Sequence, residues 1–195
     1  MHCVSMNLLN PLCLHNKENY NYQMSIEKFK GKYRIESNRC PNWNYSSNGE
    51  YFITICTANR EHYLGKIVDS EIKLSEIGGI AHQEWLKTKD LRKDMNIVLN
   101  EFCIMPNHIH AIIKIIDTKH VNCTAKNKFG PQSKNLGAII RGFKSAVKKY
   151  ATINNIEFAW QPNYHDHIIK SEEEFYKIRN YIRNNPKNWK EDRFY

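Results

Sequence analysis

This sequence has no apolar run approaching the roughly 18 residues that a membrane-spanning helix needs, so no membrane partner is expected. The six cysteines, Cys3, Cys13, Cys40, Cys56, Cys103 and Cys123, form no C-x-x-C pair. A chain of 195 residues holds a core of its own and needs no disulfide staples, so these read as free thiols in a reducing cytoplasm. The first twenty residues lack a basic segment and a small-residue cleavage site. Asn10 and Pro11 interrupt their leucines, so this stretch reads as neither signal peptide nor anchor. No internal repeat is visible.

Acidic side chains are in deficit. Asp and Glu total 20 against 29 Lys and Arg, giving a formal net charge of +9 and an isoelectric point of 9.2. That balance favours a polyanionic partner, nucleic acid first and an acidic membrane surface second. A soluble protein that is merely basic fits the charge equally well.

Residues 1–30 are rich in Asn and show no sustained period, which predicts a disordered or loosely docked leader. Residues 31–195 are expected to form a single domain. Its first strand is expected over residues 51–57, where β-branched and aromatic side chains are dense. Residues 65–74 predict a short hairpin turning at Asp69 and Ser70. Ser75 then caps a helix whose apolar face carries Ile77, Ile80, Ala81 and Trp85. Residues 96–99 and 102–104 are β-like, Met105-Pro106-Asn107 is turn chemistry, and residues 108–116 are the longest strand candidate. A polar loop is expected from Asp117 to Lys134. Leu136, Ile139, Ile140, Phe143, Val147 and Tyr150 mark an amphipathic helix, and Ile168-Ile169 a brief extended piece. The last helix opens on a capping box at Ser171 and stops before Pro186. This interleaving suits an α+β sandwich, with helices over one antiparallel sheet.

Four groups of residues carry candidate chemistry. His108 and His110 alternate with Ile109 on one strand, so both imidazoles point the same way with α-carbons roughly 7 Å apart. Two neutral imidazoles at that separation can share a divalent metal, although H-x-H alone also describes two surface histidines. In the last helix, Tyr181 and Asn185 lie one turn apart on a shoulder of the stripe Phe175, Ile178, Ile182, while Tyr176 points well away. Taken singly, Tyr181 also fits a packing role. The segment Trp160-Gln161-Pro162-Asn163-Tyr164-His165-Asp166-His167 reads as irregular. In it His167 is a further candidate metal ligand and His165 a surface residue. Arg141, Lys144 and Lys148 share one side of their helix and form either a phosphate-contacting stripe or a solvated face.

The string Phe102-Cys103-Ile104-Met105-Pro106-Asn107-His108-Ile109-His110 resembles the HUH signature of small bacterial insertion-sequence transposases. Trp160-Gln161-Pro162 through His167, followed by Tyr181-Ile182-Arg183-Asn184-Asn185-Pro186, resembles the matching C-terminal signature. With Tyr51 through Arg60, the set is most similar to REP-associated tyrosine transposases, over residues 33–189. That resemblance implies a ferredoxin-like or RRM-like α+β fold with the histidines on a central strand. It implies that Tyr181 is the nucleophile and that His108, His110 and Asn185 hold a divalent metal, Mg²⁺ or Mn²⁺. The reaction would be nicking and transfer of single-stranded or hairpin DNA through a 5′-phosphotyrosine. Such a protein would be cytoplasmic, nucleoid-associated when bound to DNA, and a monomer or homodimer. Two other classes stay open. One is a non-catalytic module binding single-stranded nucleic acid. The other is a zinc hydrolase built on His108, His110 and His167, which lacks an obvious acidic general base beside the histidine pair.

Overall fold

Strand β1, Gly49–Cys56, begins the main sheet of the computed structural model. The structure describes Cys40 and residues 43–116, 133–192 and 194–195. The expected leader and most of the expected 117–134 loop lie outside the described residues. Residues 44–195 form one compact unit, and every element below belongs to it.

After β1 come the hairpin strands β2, Gly65–Val68, and β3, Glu71–Leu74. Asp69 and Ser70 both take positive φ, 52° and 64°, as a tight hairpin turn demands. Helix α1, Glu76–Leu91, follows, with the Ser75 hydroxyl accepting from the Gly78 amide at 3.0 Å. Next are β4, Asn96–Ile104, β5, His108–Ile116, and α2, Leu136–Ile153. Asn135 caps α2 by accepting from the Ala138 amide at 2.8 Å. Strand β6, His165–Ile169, and helix α3, Glu172–Asn184, complete the set.

The sheet runs β4-β5-β1-β6 and all its pairs are antiparallel. With the β2–β3 hairpin set aside, the chain order is β-α-β-β-α-β, which is the ferredoxin-like arrangement. β5 and β1 are interior strands, covered on both faces. That burial explains why β5 reads as a near-continuous apolar run. The expected runs at 96–99 and 102–104 are one strand, interrupted by a bulge. Leu99 pairs with Ile113 but Phe102 pairs with Ala111, so one extra residue is inserted.

The two sheet faces have different occupants. Phe102, on the Ala111 face, meets the Trp85 ring of α1 at 6.3 Å, and Trp85 meets Phe143 of α2 edge-on at 5.4 Å. Helices α1 and α2 therefore cover the face of Ile109, Ala111 and Ile113. The opposite face carries His108, His110 and Ile112. There Ile112 and Ile169 pack with Ile178 and Ile182 of α3, with Phe52, Cys103, Phe175 and Tyr181 around them. Burying each of these aliphatic side chains contributes about 1.5–3 kcal/mol, enough to clamp α3 over the histidine strand.

Two local expectations need correction. Residues 165–167, read as irregular, are the first half of β6 and pair with Ile53, Thr54 and Phe52 of β1. The reciprocal half of the capping box at Ser171 is displaced: the Glu174 carboxylate accepts from the Lys170 amide at 2.8 Å rather than from Ser171.

Candidate active site

The site starts from strand register. Cys56 faces His108 and Thr54 faces His110 across the β1–β5 pair. Both histidines are fully buried, at 0% and 1% exposure, and their rings lie 4.4 Å apart on one face. Alternation along the strand thus brings the two imidazoles together as expected.

Their hydrogen bonds decide which nitrogens are available. His108 Nδ1 lies 2.9 Å from Asn107 Oδ1, and the Asn107 amide nitrogen donates to the Phe194 carbonyl at 2.7 Å. An amide oxygen only accepts, so His108 carries its proton on Nδ1 and leaves Nε2 with a bare lone pair. That Nε2 is buried and has no hydrogen-bond partner. Burial, and then the positive charge of Arg60, pushes the His108 pKa down to about 3. The ring is therefore neutral at pH 7, the form that binds metal. His110 places Nδ1 2.9 Å from the Thr54 hydroxyl, which serves as donor or acceptor. Its Nε2 lies 3.2 Å from the Tyr181 hydroxyl.

Helix α3 brings the remaining groups. Ile178 and Ile182 anchor its inner stripe, and Tyr181 stands half-buried beside them with its ring edge-on to Phe52 at 6.2 Å. Tyr176 is 53% exposed on another face. Asn185, one turn beyond Tyr181, is 1% exposed, and its Oδ1 is buried without a hydrogen-bond partner. Helix α3 thus carries Tyr181 and, as its C-cap, Asn185, with the tyrosine hydroxyl against His110.

Sequence reasoning missed Asp192. It follows the 3-10 turn Trp189–Glu191 and accepts from the Tyr181 hydroxyl at 3.1 Å and from Asn185 Nδ2 at 2.6 Å. Donor atoms of His108, His110 and Asp192 lie within 4.8 Å of one another, a group that could hold a metal ion. No spacing rule links Asp192 to the histidines. The only local hint is the aromatic density of Trp189, Phe194 and Tyr195 after Pro186, which marks a docking tail. Trp189 and Phe194 are buried, and their rings stand 6.0 Å and 4.7 Å from that of His108.

Other expected residues stand apart. His167 shares the sheet face, but its Nε2 lies 2.7 Å from a Glu174 carboxylate oxygen. Among the described residues it is not part of the metal-competent group. Lys144 donates to the Gln161 and Asn163 carbonyls at 2.6 and 2.8 Å, and Lys148 to the Phe158 carbonyl at 2.6 Å. Arg141 is exposed on the same helix, which covers the sheet face opposite the histidines.

Comparison with known proteins gives the family and the fold. The family model for IS200-like transposases matches residues 45–185. An uncharacterized protein of Haemophilus influenzae is 37% identical over 180 residues, spanning 88% of this chain and 99% of that protein. Among solved structures, a REP-associated tyrosine transposase bound to a REP hairpin is similar, with a TM-score of 0.53 at 18% identity. The match covers 81% of this chain and 73% of that one. At that identity the structural likeness speaks for the fold, while the family match spans most of the sequence. The chain belongs to the IS200-like transposase family.

Proposed function

We propose that this transposase is a metal-dependent single-strand DNA endonuclease and strand transferase, with Tyr181 as its nucleophile. The observation that carries this reading is the 3.2 Å approach of the Tyr181 hydroxyl to His110 Nε2, inside the buried histidine pair. A packing role accounts for the contacts of the ring with the core, but not for the unpartnered histidine nitrogen in the same group.

The donor set fits a divalent cation on two counts. His108 Nε2 and Asn185 Oδ1 are buried polar atoms without partners, a costly arrangement unless a ligand completes them. His108, His110 and Asn185 would hold Mg²⁺ or Mn²⁺; two nitrogens with one amide oxygen suit Mn²⁺ better, since Mg²⁺ prefers oxygen ligands. When bound, the cation supplies Lewis-acid polarisation of the scissile phosphate.

The chain's own residues do the rest. The Tyr181 oxygen forms a bond to the scissile phosphorus while the bond from phosphorus to the 3′ oxygen breaks. The proton lost by the phenol is matched by one taken up on the departing 3′ oxygen. The products are a 5′-phosphotyrosine and a free 3′-hydroxyl, and the stored ester lets the strand be rejoined without an external energy source. We place a hairpin-forming DNA repeat as substrate, in line with the REP hairpin held by the solved relative. The zinc-hydrolase alternative needs His167, which is engaged with Glu174. A purely binding module leaves the unpartnered His108 Nε2 unexplained.

The test is direct. The protein is incubated with Mn²⁺ and single-stranded hairpin DNA from repeats flanking its gene, and a covalent protein–DNA adduct is sought. Tyr181→Phe removes one oxygen, so it should abolish the adduct and leave DNA binding nearly intact. Tyr176→Phe should change neither. Adduct formation at the normal rate by Tyr181→Phe would sink the mechanism.

A further inference from the structure

Asp192 lies past the segment matched by the family model, which ends at residue 185. The tail that carries it is held from three directions. The Phe194 carbonyl accepts from Asn107 Nδ2 at 2.7 Å, and the Phe194 amide donates to Asp192 Oδ1 at 2.7 Å. The Phe194 ring packs against both imidazoles, at 4.7 Å from His108 and 5.8 Å from His110. Asn107 is the hinge of this arrangement. Its nitrogen binds the tail, and its oxygen fixes the His108 tautomer that leaves Nε2 bare.

Resting on the metal reading above, we propose that Asp192 is a metal ligand, so that the chain's own C-terminal tail completes the site with a carboxylate. Two observations converge on this. Donor atoms of His108, His110 and Asp192 fall within 4.8 Å of one another. In addition, the fully buried His108 presents an unpartnered Nε2 within that group. Chemically, two imidazoles with one amide make a neutral set. Adding Asp192 turns it into a two-histidine, one-carboxylate set with a negative charge, a type that holds first-row divalent cations with coordination positions left open. The carboxylate also supplies the hard oxygen that Mn²⁺ and Mg²⁺ favour. Its present hydrogen bonds from Asn185 and Tyr181 hold it at the group's edge.

The experiment is Mn²⁺ titration of the full-length protein by calorimetry, comparing wild type, Asp192→Asn and His108→Ala. It is joined by hydrogen exchange of residues 189–195 with and without Mn²⁺. We expect Asp192→Asn to weaken Mn²⁺ binding at least about tenfold, and His108→Ala to weaken it at least as much. In wild type, Mn²⁺ should slow exchange in the tail. Wild-type affinity in Asp192→Asn, or tail exchange indifferent to Mn²⁺ in the wild-type protein, overturns the proposal. If His108→Ala still loses Mn²⁺ in that case, the underlying metal reading stands and Asp192 is only a hydrogen-bond anchor. If His108→Ala also binds normally, the metal reading itself fails.

Discussion

His108 carries the clearest consequence of burial. Its pKa is held at about 3 in the folded protein, against about 6.5 in an unfolded chain. Above pH 6.5 both states are neutral and the group costs nothing. As pH falls below 6.5, the unfolded chain binds a proton that the folded protein refuses. Stability is therefore lost on acidification from pH 6.5 towards 3, at about 1.4 kcal/mol per pH unit from this one residue. Denaturant unfolding in EDTA at pH 7 and pH 5 isolates the effect when wild type is compared with His108→Gln. Wild type should lose about 2 kcal/mol more than the variant over that interval. Parallel losses would mean that His108 is not held neutral. The same neutrality keeps Nε2 available as a donor, so the acid sensitivity and the proposed metal chemistry have one cause.

Helix α1 shows how local propensity yields to packing. Gly78 and Gly79 sit side by side in its first turns, and each looks like a weak point for a helix. A Cβ on Gly78 would stand 1.9 Å from the Leu64 carbonyl oxygen, whereas one on Gly79 would meet nothing within 4 Å. The Leu64 carbonyl is already committed, accepting from the Ser75 amide at 3.0 Å. Gly79→Ala should therefore raise stability by up to about 1 kcal/mol. Gly78→Ala should lower it by about 2 kcal/mol or more, because backbone must move. Thermal melts of the two variants decide the matter, and equal shifts would refute the close approach. The sequence does not distinguish the two glycines, because the obstacle comes from a residue more than ten positions away.

The same division runs through the other elements. His108 and His110 were legible because strand alternation is local and the strand is long and apolar. The shared helix face of Tyr181 and Asn185 was legible from helical spacing, while the roles expected of them rest on the family resemblance. Strand β6 was read only at Ile168 and Ile169, since His165-Asp166-His167 carries no apolar alternation. Its pairing is imposed by β1. Asp192 was invisible because its neighbours are made by tail docking rather than by any repeat.

For the molecule as a whole, the +9 charge invites a search for the DNA-binding surface. The sequence suggests the stripe Arg141, Lys144 and Lys148, and the architecture tests that suggestion. The sheet separates α2 from the histidine pair, so phosphates held by this stripe would lie behind the site rather than across it. Lys144 spends two of its three donors on the Gln161 and Asn163 carbonyls, and burial lowers its pKa. Lys148 is bonded to the Phe158 carbonyl, while the Trp160 indole donates to the Lys144 carbonyl at 3.1 Å. These contacts bind residues 158–163 to α2. For single-stranded DNA each phosphate contact contributes about 0.7 to the slope of log affinity against log salt, so three would contribute about 2. We expect Lys144→Ala and Lys148→Ala each to lower the melting temperature and to change the slope by less than about 0.7. Arg141→Ala should change the slope by about 0.7, the contribution of one phosphate contact. A fall of about 2 in the triple variant with an unchanged melt would restore the whole stripe as a DNA surface, and DNA would then have to wrap past the sheet edge to reach Tyr181.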